Sequence, residues 1–455
     1  MKELKIVLSK EMLQKSLDFE LPTQTLYIDR SKVGDIKERG HNLIGFSRRE
    51  LIIREFIVKL ASNGFFLVSS LKGNSRFEKF IKAEDFKDNI KVKNLKIYNN
   101  IYYTIQEPIL KFSKPRLVVI FSSVADRAFN ADISIRNFFT NFETISKYIP
   151  QNSYILRIAD IGGIIGNFYM NTTFSNSIEN NIQELLKYIL DRYFIDKDDV
   201  ILYGGSKGGT ASLYHSILGG YKAIAVDPIV SDKYHEKYSD DSHFTKRYGE
   251  YAIYPKSKKE KFINLIRNSK IEDNNIYIIY SQQSPIYMDI NNIIKKNDKE
   301  NKINYLNVCH PQIKTHPDVA SKTINILLSI MNNLFYNLSE IKSKDIDCDK
   351  AIEKKIEIKA ELKLTKLIIY TNNKSMNLRV YDTTLEQYKD IPLKYSVAEI
   401  SLFKLKGKMI SVVEIDTSIE HELVVDLKKS SLLSKIASYK NIVINGKEFS
   451  FLAIG

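Results

Sequence analysis

Gly204-Gly205-Ser206-Lys207-Gly208-Gly209 stands between an apolar run, DVILY, and a helical run, TASLYHSILGG. A G-x-S-x-G pattern has mechanical meaning where a strand turns sharply into a helix. The turn holds the serine hydroxyl out at the strand end, and the residues around it must be small. Gly204 and Gly208 supply that space, with Gly205 and Gly209 as further permissive positions. The helix start after Ser206 offers backbone N–H groups and a positive dipole end to a developing oxyanion. The bland alternative is a glycine-rich phosphate-binding turn. The P-loop pattern fails, because Lys207 is preceded by serine and followed by glycine.

A serine nucleophile needs a base, and seven histidines are present: His41, His215, His235, His243, His310, His316 and His421. In this arrangement the chain order is serine, acid, histidine, with the base between the last strand and the last helix. His316 meets that description, in the loop HPQIKTHPD between INYLNVC and VASKTINILLSIM. His310 is the competitor, but it follows directly on the strand. His215, on the helix after the serine, reads as a packing residue. His235 and His243 fall in a variable stretch suited to a lid or a substrate contact.

The acid is less sharply marked. The position after the strand NNIYIIY usually carries it, and here that position holds Ser284. The nearest downstream carboxylate, Asp289, is the first candidate, and Asp227 at the end of AVDPIV is the alternative. The backbone N–H of Lys207 and that of Ser123 or Val124 are the expected oxyanion donors. The Lys207 side chain is expected to face an anionic substrate or solvent. No metal site is expected: Cys309 and Cys348 are isolated, and no histidine pair has ligand spacing on a helix face. Gly162, Gly163 and Gly166 lack the full dinucleotide fingerprint and read as a turn.

These residues require a scaffold of strands alternating with helices, which residues 89–338 supply. NIKVKNLKIYNN and IYYTIQEP form a predicted hairpin, with Asn99-Asn100 at the turn. RLVVIFSSV, NSYILRIAD, DDVILYGG, YKAIAVDPIV, NNIYIIYSQQ and INYLNVCH are continuous apolar runs of the kind buried parallel strands show. Between NSYILRIAD and DDVILYGG lies a helix with Ile182, Leu185, Leu186 and Ile189 on one face and Ser177 placed to cap it. The fold class is therefore α/β, a mostly parallel sheet flanked by helices. Residues 1–88 read as a small α+β region, with a helix carrying Leu51, Ile52, Phe56, Ile57 and Leu60 and stopping at Gly64. Residues 345–455 read as a β-rich, sandwich-like domain. That domain has no tryptophan, so packing or oligomerisation is a better reading for it than glycan binding.

The chain has 455 residues, 44% of them hydrophobic and 27% charged, which suits a globular protein and excludes a disordered one. Two cysteines exclude a disulfide framework. Lys and Arg number 68 against 54 Asp and Glu, a net charge of +14 that either favours an anionic partner or follows from a Lys-, Ile- and Asn-heavy composition. That charge is spread along the chain with no nucleic-acid motif, so no nucleic acid is expected. Its densest run, Lys256, Lys258, Lys259 and Lys261, reads as a solvated helix start. The charged N-terminal segment and the lack of a long apolar run predict a cytoplasmic protein.

From about residue 115 to 338 the sequence resembles the α/β-hydrolase superfamily. More narrowly, GGSKGGTASLYH resembles the elbow of two bacterial groups. One is the serine acyltransferase-like component of the accessory Sec system, which modifies glycans on exported adhesins. The other is the XcbB/CpsF-like family of capsule biosynthesis. The resemblance implies Ser206 as nucleophile and His316 as base, while the acid does not carry over because of Ser284. It implies O-acyl transfer, acetyl first, to a bacterial surface glycan, glycoprotein or capsule, with no bound cofactor and acetyl-CoA as acyl donor. It also implies association with a biosynthesis complex or with the inner membrane face. The alternatives are an esterase or deacetylase using the same residues, and a non-catalytic scaffold of glycan assembly.

Overall fold

The computed structural model describes residues 1–14, 20–32, 42–47, 50–70, 77–111, 114–125, 129–138, 140–234, 253, 256–269, 271, 275–338, 341–348 and strands between 356 and 454. It divides into two compact units, Met1–Cys348 and Asp349–Gly455. In the first unit, alternating or continuous apolar runs near the N-terminus form β1 (Glu3–Val7), β2 (Thr25–Asp29), β3 (Phe65–Ser70) and β4 (Phe77–Lys82). They make a four-stranded sheet in the order β1-β2-β4-β3. Helix α1 (Leu51–Ser62) lies between β2 and β3 and buries Ile53, Phe56, Ile57 and Leu60. Leu51 is on its exposed side, so Ile53 takes the place expected for Leu51. Gly64, at φ 79°, ends the helix.

The second sheet positions Ser206, Asp227 and His316. It contains β5 (Lys96–Tyr98), β6 (Ile101–Gln106), β7 (Arg116–Phe121), β8 (Ser153–Ile158), β9 (Val200–Gly205), β10 (Lys222–Val226), β11 (Ile276–Tyr280), β12 (Ile303–Cys309) and β13 (Lys344–Asp347). Their order is β13-β12-β11-β10-β9-β7-β8-β6-β5. Only β6 runs against the others, antiparallel to β5 and to β8. Asn99 and Asn100 form the expected β5–β6 turn, both in the left-handed region that asparagine tolerates. From β7 the chain moves outward to β8 and then returns to the other side of β7 as β9. The crevice at the carboxyl ends of β7 and β9 is therefore a topological switch point, where ligand sites of open α/β sheets lie.

Alternation along β7 shows how the sheet is covered. Leu117, Val119 and Phe121 enter one core, and Val118 and Ile120 enter the other. Helix α2 (Ile178–Tyr193) buries Ile182, Leu185, Leu186 and Ile189. Ser177 does not cap it through its side chain; its hydroxyl instead accepts from Asn181 Nδ2 at 3.2 Å. Helix α3 (Lys207–Gly219) follows β9, and helix α4 (Lys258–Asn268) opens on a Ser257–Glu260 capping box. Helices α5 (His316–Lys322) and α6 (Ile324–Tyr336) follow β12, with Leu327, Ile330 and Met331 of α6 packed on the second core. Leu26, Phe65 and Phe80 of the first sheet share a core with Leu117 of β7, so residues 1–88 pack as part of the same unit.

Residues 345–347, assigned by sequence to the C-terminal domain, form with Lys344 the edge strand β13 against β12. Beyond them, the described residues of the second unit form a five-stranded and a four-stranded sheet. Among the described residues, no helix is long and apolar enough to cross a membrane.

Candidate active site

Ser206 sits at the junction of β9 and α3 with φ 55° and ψ −118°, a conformation that L residues rarely adopt. Its N–H donates to Val226 O at 2.9 Å, and its carbonyl accepts from Thr210 N at 2.9 Å, so the turn is fixed from both sides. A Cβ on Gly204 would lie 2.1 Å from the Gly208 backbone, and one on Gly208 would lie 2.3 Å from Phe121 O. Those two glycines are steric necessities. Gly205 has room, since the nearest atom to an added Cβ would be Ala320 Cβ at 3.6 Å.

Helix α5 begins at His316 because Thr315 and Asp318 form a capping box, with Pro317 in the first turn. The cap fixes His316 over the elbow. Its Nε2 lies 2.8 Å from Ser206 Oγ, and its Nδ1 lies 2.7 Å from Asp227 Oδ2. A carboxylate accepts, so Nδ1 carries the proton and Nε2 is left to accept from the Ser206 hydroxyl. Asp227 follows β10 directly, at φ 44°, with its N–H on Ile279 O at 2.7 Å. Its carboxylate also accepts from Ser284 Oγ at 2.6 Å.

The carboxylate beside His316 is thus Asp227 and not Asp289, the first expectation. Asp289 is half-buried in a short helix after β11, beside Ser231, and burial there raises its pKa. The physical reason is the tight turn at the end of β10, which aims Asp227 inward, while Ser284 fills the space after β11.

Of the expected oxyanion donors, the N–H of Ser123 is committed to Asn141 Oδ1 at 2.8 Å. Its hydroxyl donates to Gly205 O at 2.8 Å and accepts from Asn141 Nδ2 at 2.7 Å, which ties the β7 loop to the elbow. Among the described residues, the Val124 N–H has no such partner. Lys207 is the first residue of α3, so its N–H has no acceptor within the helix.

The Lys207 side chain faces neither substrate nor solvent. It is fully buried, with Nζ 2.8 Å from Asp160 Oδ2 and 3.4 Å from Ile165 O. Asp160 in turn accepts from the N–H groups of Asn167, Phe168 and Tyr169. The loop holding Gly162, Gly163 and Gly166 is therefore a turn, as expected, and it wraps this ion pair. The lysine run also departs from expectation. Lys258 is buried against Asp232 and over the Phe168 ring, and Lys261 pairs with Glu179. An ammonium stem threads apolar surface well while its head finds an anion, and the sequence alone does not show that anion.

His215 is buried, its Nε2 2.9 Å from Tyr169 O and its Nδ1 3.0 Å from Gln183 Nε2. Burial lowers its pKa to about 4, which fits a neutral packing residue. His310 Nδ1 accepts from Gln312 N at 3.1 Å. His235 and His243 lie outside the described residues. Among the described residues, no cluster of His, Cys, Asp and Glu could hold a metal ion. A cavity of about 320 Å³ opens between the first sheet and the β8–α2 loop, lined by Phe66, Phe86, Tyr102, Gly163 and Phe174. Among its lining residues are neither Ser206, His316 nor Asp227.

No family profile matches the chain, and no curated protein does. Among solved structures it is similar to the glycosylation-associated protein complex of Streptococcus agalactiae (15% identity, TM-score 0.41), over 60% of this chain and 53% of that one. The chain thus spans about half the length of that structure. It is also similar to the capsule O-acetyltransferase of Neisseria meningitidis serogroup A (14%, 0.37, covering 54% and 99%). A third likeness is to a fluorophosphonate-binding serine hydrolase of Staphylococcus aureus (14%, 0.37, covering 53% and 95%).

Proposed function

We propose that the protein is a serine acyltransferase of α/β-hydrolase type, with Ser206 as nucleophile, His316 as base and Asp227 as the acid that orients it. The observation that carries this reading is the continuous relay Ser206 Oγ–His316 Nε2 and His316 Nδ1–Asp227 Oδ2, at 2.8 and 2.7 Å. The sheet order, with β6 alone reversed and the serine after β9, supports the same fold type.

In the first half-reaction Ser206 Oγ attacks the carbonyl carbon of a thioester, and His316 Nε2 takes the hydroxyl proton. Charge develops on the carbonyl oxygen, which the N–H groups of Lys207 and Val124 receive. Collapse breaks the C–S bond, and the imidazolium returns its proton to the departing thiolate. In the second half-reaction a sugar hydroxyl attacks the acyl-serine, His316 takes its proton, and Ser206 leaves with it. Asp227 holds the imidazole in the required tautomer and stabilises its cation in both steps.

Acetyl-CoA is the proposed donor, and a hydroxyl of a bacterial surface glycan or glycoprotein is the proposed acceptor. The net charge of +14 suits an anionic donor and an anionic acceptor chain. Incubation with acetyl-CoA and intact mass analysis tests the first half-reaction. An acetyl adduct mapped to Ser206, discharged by added oligosaccharide faster than by water, is the expected result. Discharge by water alone would make the protein an esterase.

A further inference from the structure

We propose that the buried Lys207–Asp160 ion pair is a positioning device that sets both oxyanion donors from beneath; this rests on the acyl-transfer reading of Ser206. Lys207 belongs to the site twice. Its N–H follows the nucleophile, and its side chain runs the other way into the protein, where Nζ meets Asp160 Oδ2 at 2.8 Å with both side chains fully buried. The contact space is closed: a Cβ on Gly166 would fall 2.1 Å from Asp160 Oδ2 and 2.6 Å from Lys207 Nζ.

From Asp160 the connection continues. Its Oδ1 accepts from Tyr169 N at 3.2 Å, which brings that ring under β7. The Tyr169 hydroxyl donates to Ile158 O at 2.9 Å and accepts from Ser122 N at 2.6 Å. Ser122 stands two residues before Val124, the second donor. Lys207, Asp160, Tyr169 and Ser122 are all buried. One polar path therefore joins the loop after β7 to the elbow after β9. Burying a lysine and an aspartate is costly unless geometry and further hydrogen bonds offset it, and an exposed lysine would serve a plain glycine turn as well. The path instead fixes how far apart the two N–H groups stand, which an oxyanion site needs to within a fraction of an ångström.

The test is the rate of Ser206 phosphonylation by a small fluorophosphonate, with hydrolysis of a small activated ester, in Lys207→Met and Asp160→Asn. Arg30→Met is the control, since it breaks a buried pair with Glu78 in the first sheet. We expect the two site variants to lose about 10²-fold in phosphonylation rate and in kcat, with KM changed by less than about threefold. The control should lose thermal stability but keep its rate. Tyr169→Phe keeps the ion pair and removes the hydroxyl that links Ser122 N and Ile158 O. It should lose about tenfold, and it decides the matter where the charge variants do not fold. Wild-type rates in folded Lys207→Met and Asp160→Asn, or in Tyr169→Phe where those two do not fold, would overturn the proposal and leave the pair as structural. Absence of phosphonylation in the wild-type protein would instead remove the acyl-transfer reading beneath it.

Discussion

The Ser284 hydroxyl donates to Asp227 Oδ2 at 2.6 Å, the same oxygen that lies 2.7 Å from His316 Nδ1. A serine therefore stands after β11, and its hydroxyl serves the carboxylate at the end of β10. Two donors thus converge on one carboxylate oxygen.

Asp227→Asn should leave the fold intact and lower kcat for a small activated ester by about 10³–10⁴-fold, because the amide favours the wrong imidazole tautomer. Asp289→Asn should change kcat by less than about threefold. Steady-state kinetics on both variants check this, and the reverse ranking would restore Asp289 as the acid.

Ser284→Ala removes one hydrogen bond to a charged acceptor, a contribution of about 1.5–3 kcal/mol when buried. Part of it is felt equally in ground and transition states, so a loss of about tenfold in kcat is expected. Ser284→Asp would set a second carboxylate against Asp227, and its activity should fall further than that of Ser284→Ala.

Steric space around the elbow gives a third test. Gly208→Ala forces a Cβ against Phe121 O and should cost about 3 kcal/mol or more in unfolding free energy. Gly205→Ala meets only ordinary contacts and should stay within about 1 kcal/mol of wild type. Chemical denaturation of both variants measures the contrast.

Two buried groups give the stability a pH dependence of opposite signs. Burial pushes Glu78 up to about 7, against the Leu43 N–H and Arg30, so its contribution is full below its ordinary value of 4.5 and is lost as pH rises to 7. Burial lowers His215 to about 4, so its contribution is full above 6.5 and is lost as pH falls to 4. Each shift corresponds to roughly 3 kcal/mol at its limit. Between pH 5 and 6.5 the two should largely cancel in the wild-type protein. His215→Gln should then melt at higher temperature as the pH falls through that range, and Glu78→Gln at lower temperature. Parallel melting curves for all three proteins would contradict the assignment.

Much of the site was legible because its signals are local. The elbow reads from Gly204 to Gly208, and His316 reads from its place between the apolar run INYLNVC and the helical run that follows it. The acid was not legible, because the choice between Asp227 and Asp289 depends on which strand end turns a carboxylate inward. Burial of Lys207 was hidden for a similar reason: Asp160 lies in a distant loop, and only the β7–β8–β9 crossover brings them together. Lys258 shows the same limit, since nothing near it in the chain marks Asp232 and Phe168 as its surroundings. The strands of the main sheet and its mostly parallel class followed from apolar runs, while their order in the sheet did not; β13 is short and polar, and its residues 345–347 were placed with the following domain.

The most direct measurement is fluorophosphonate labelling of the intact chain with peptide mapping, repeated on His316→Ala and Asp227→Asn. The relay requires a single adduct on Ser206, formed at least about 10²-fold more slowly in His316→Ala. An adduct elsewhere, or equal rates with and without His316, would contradict it.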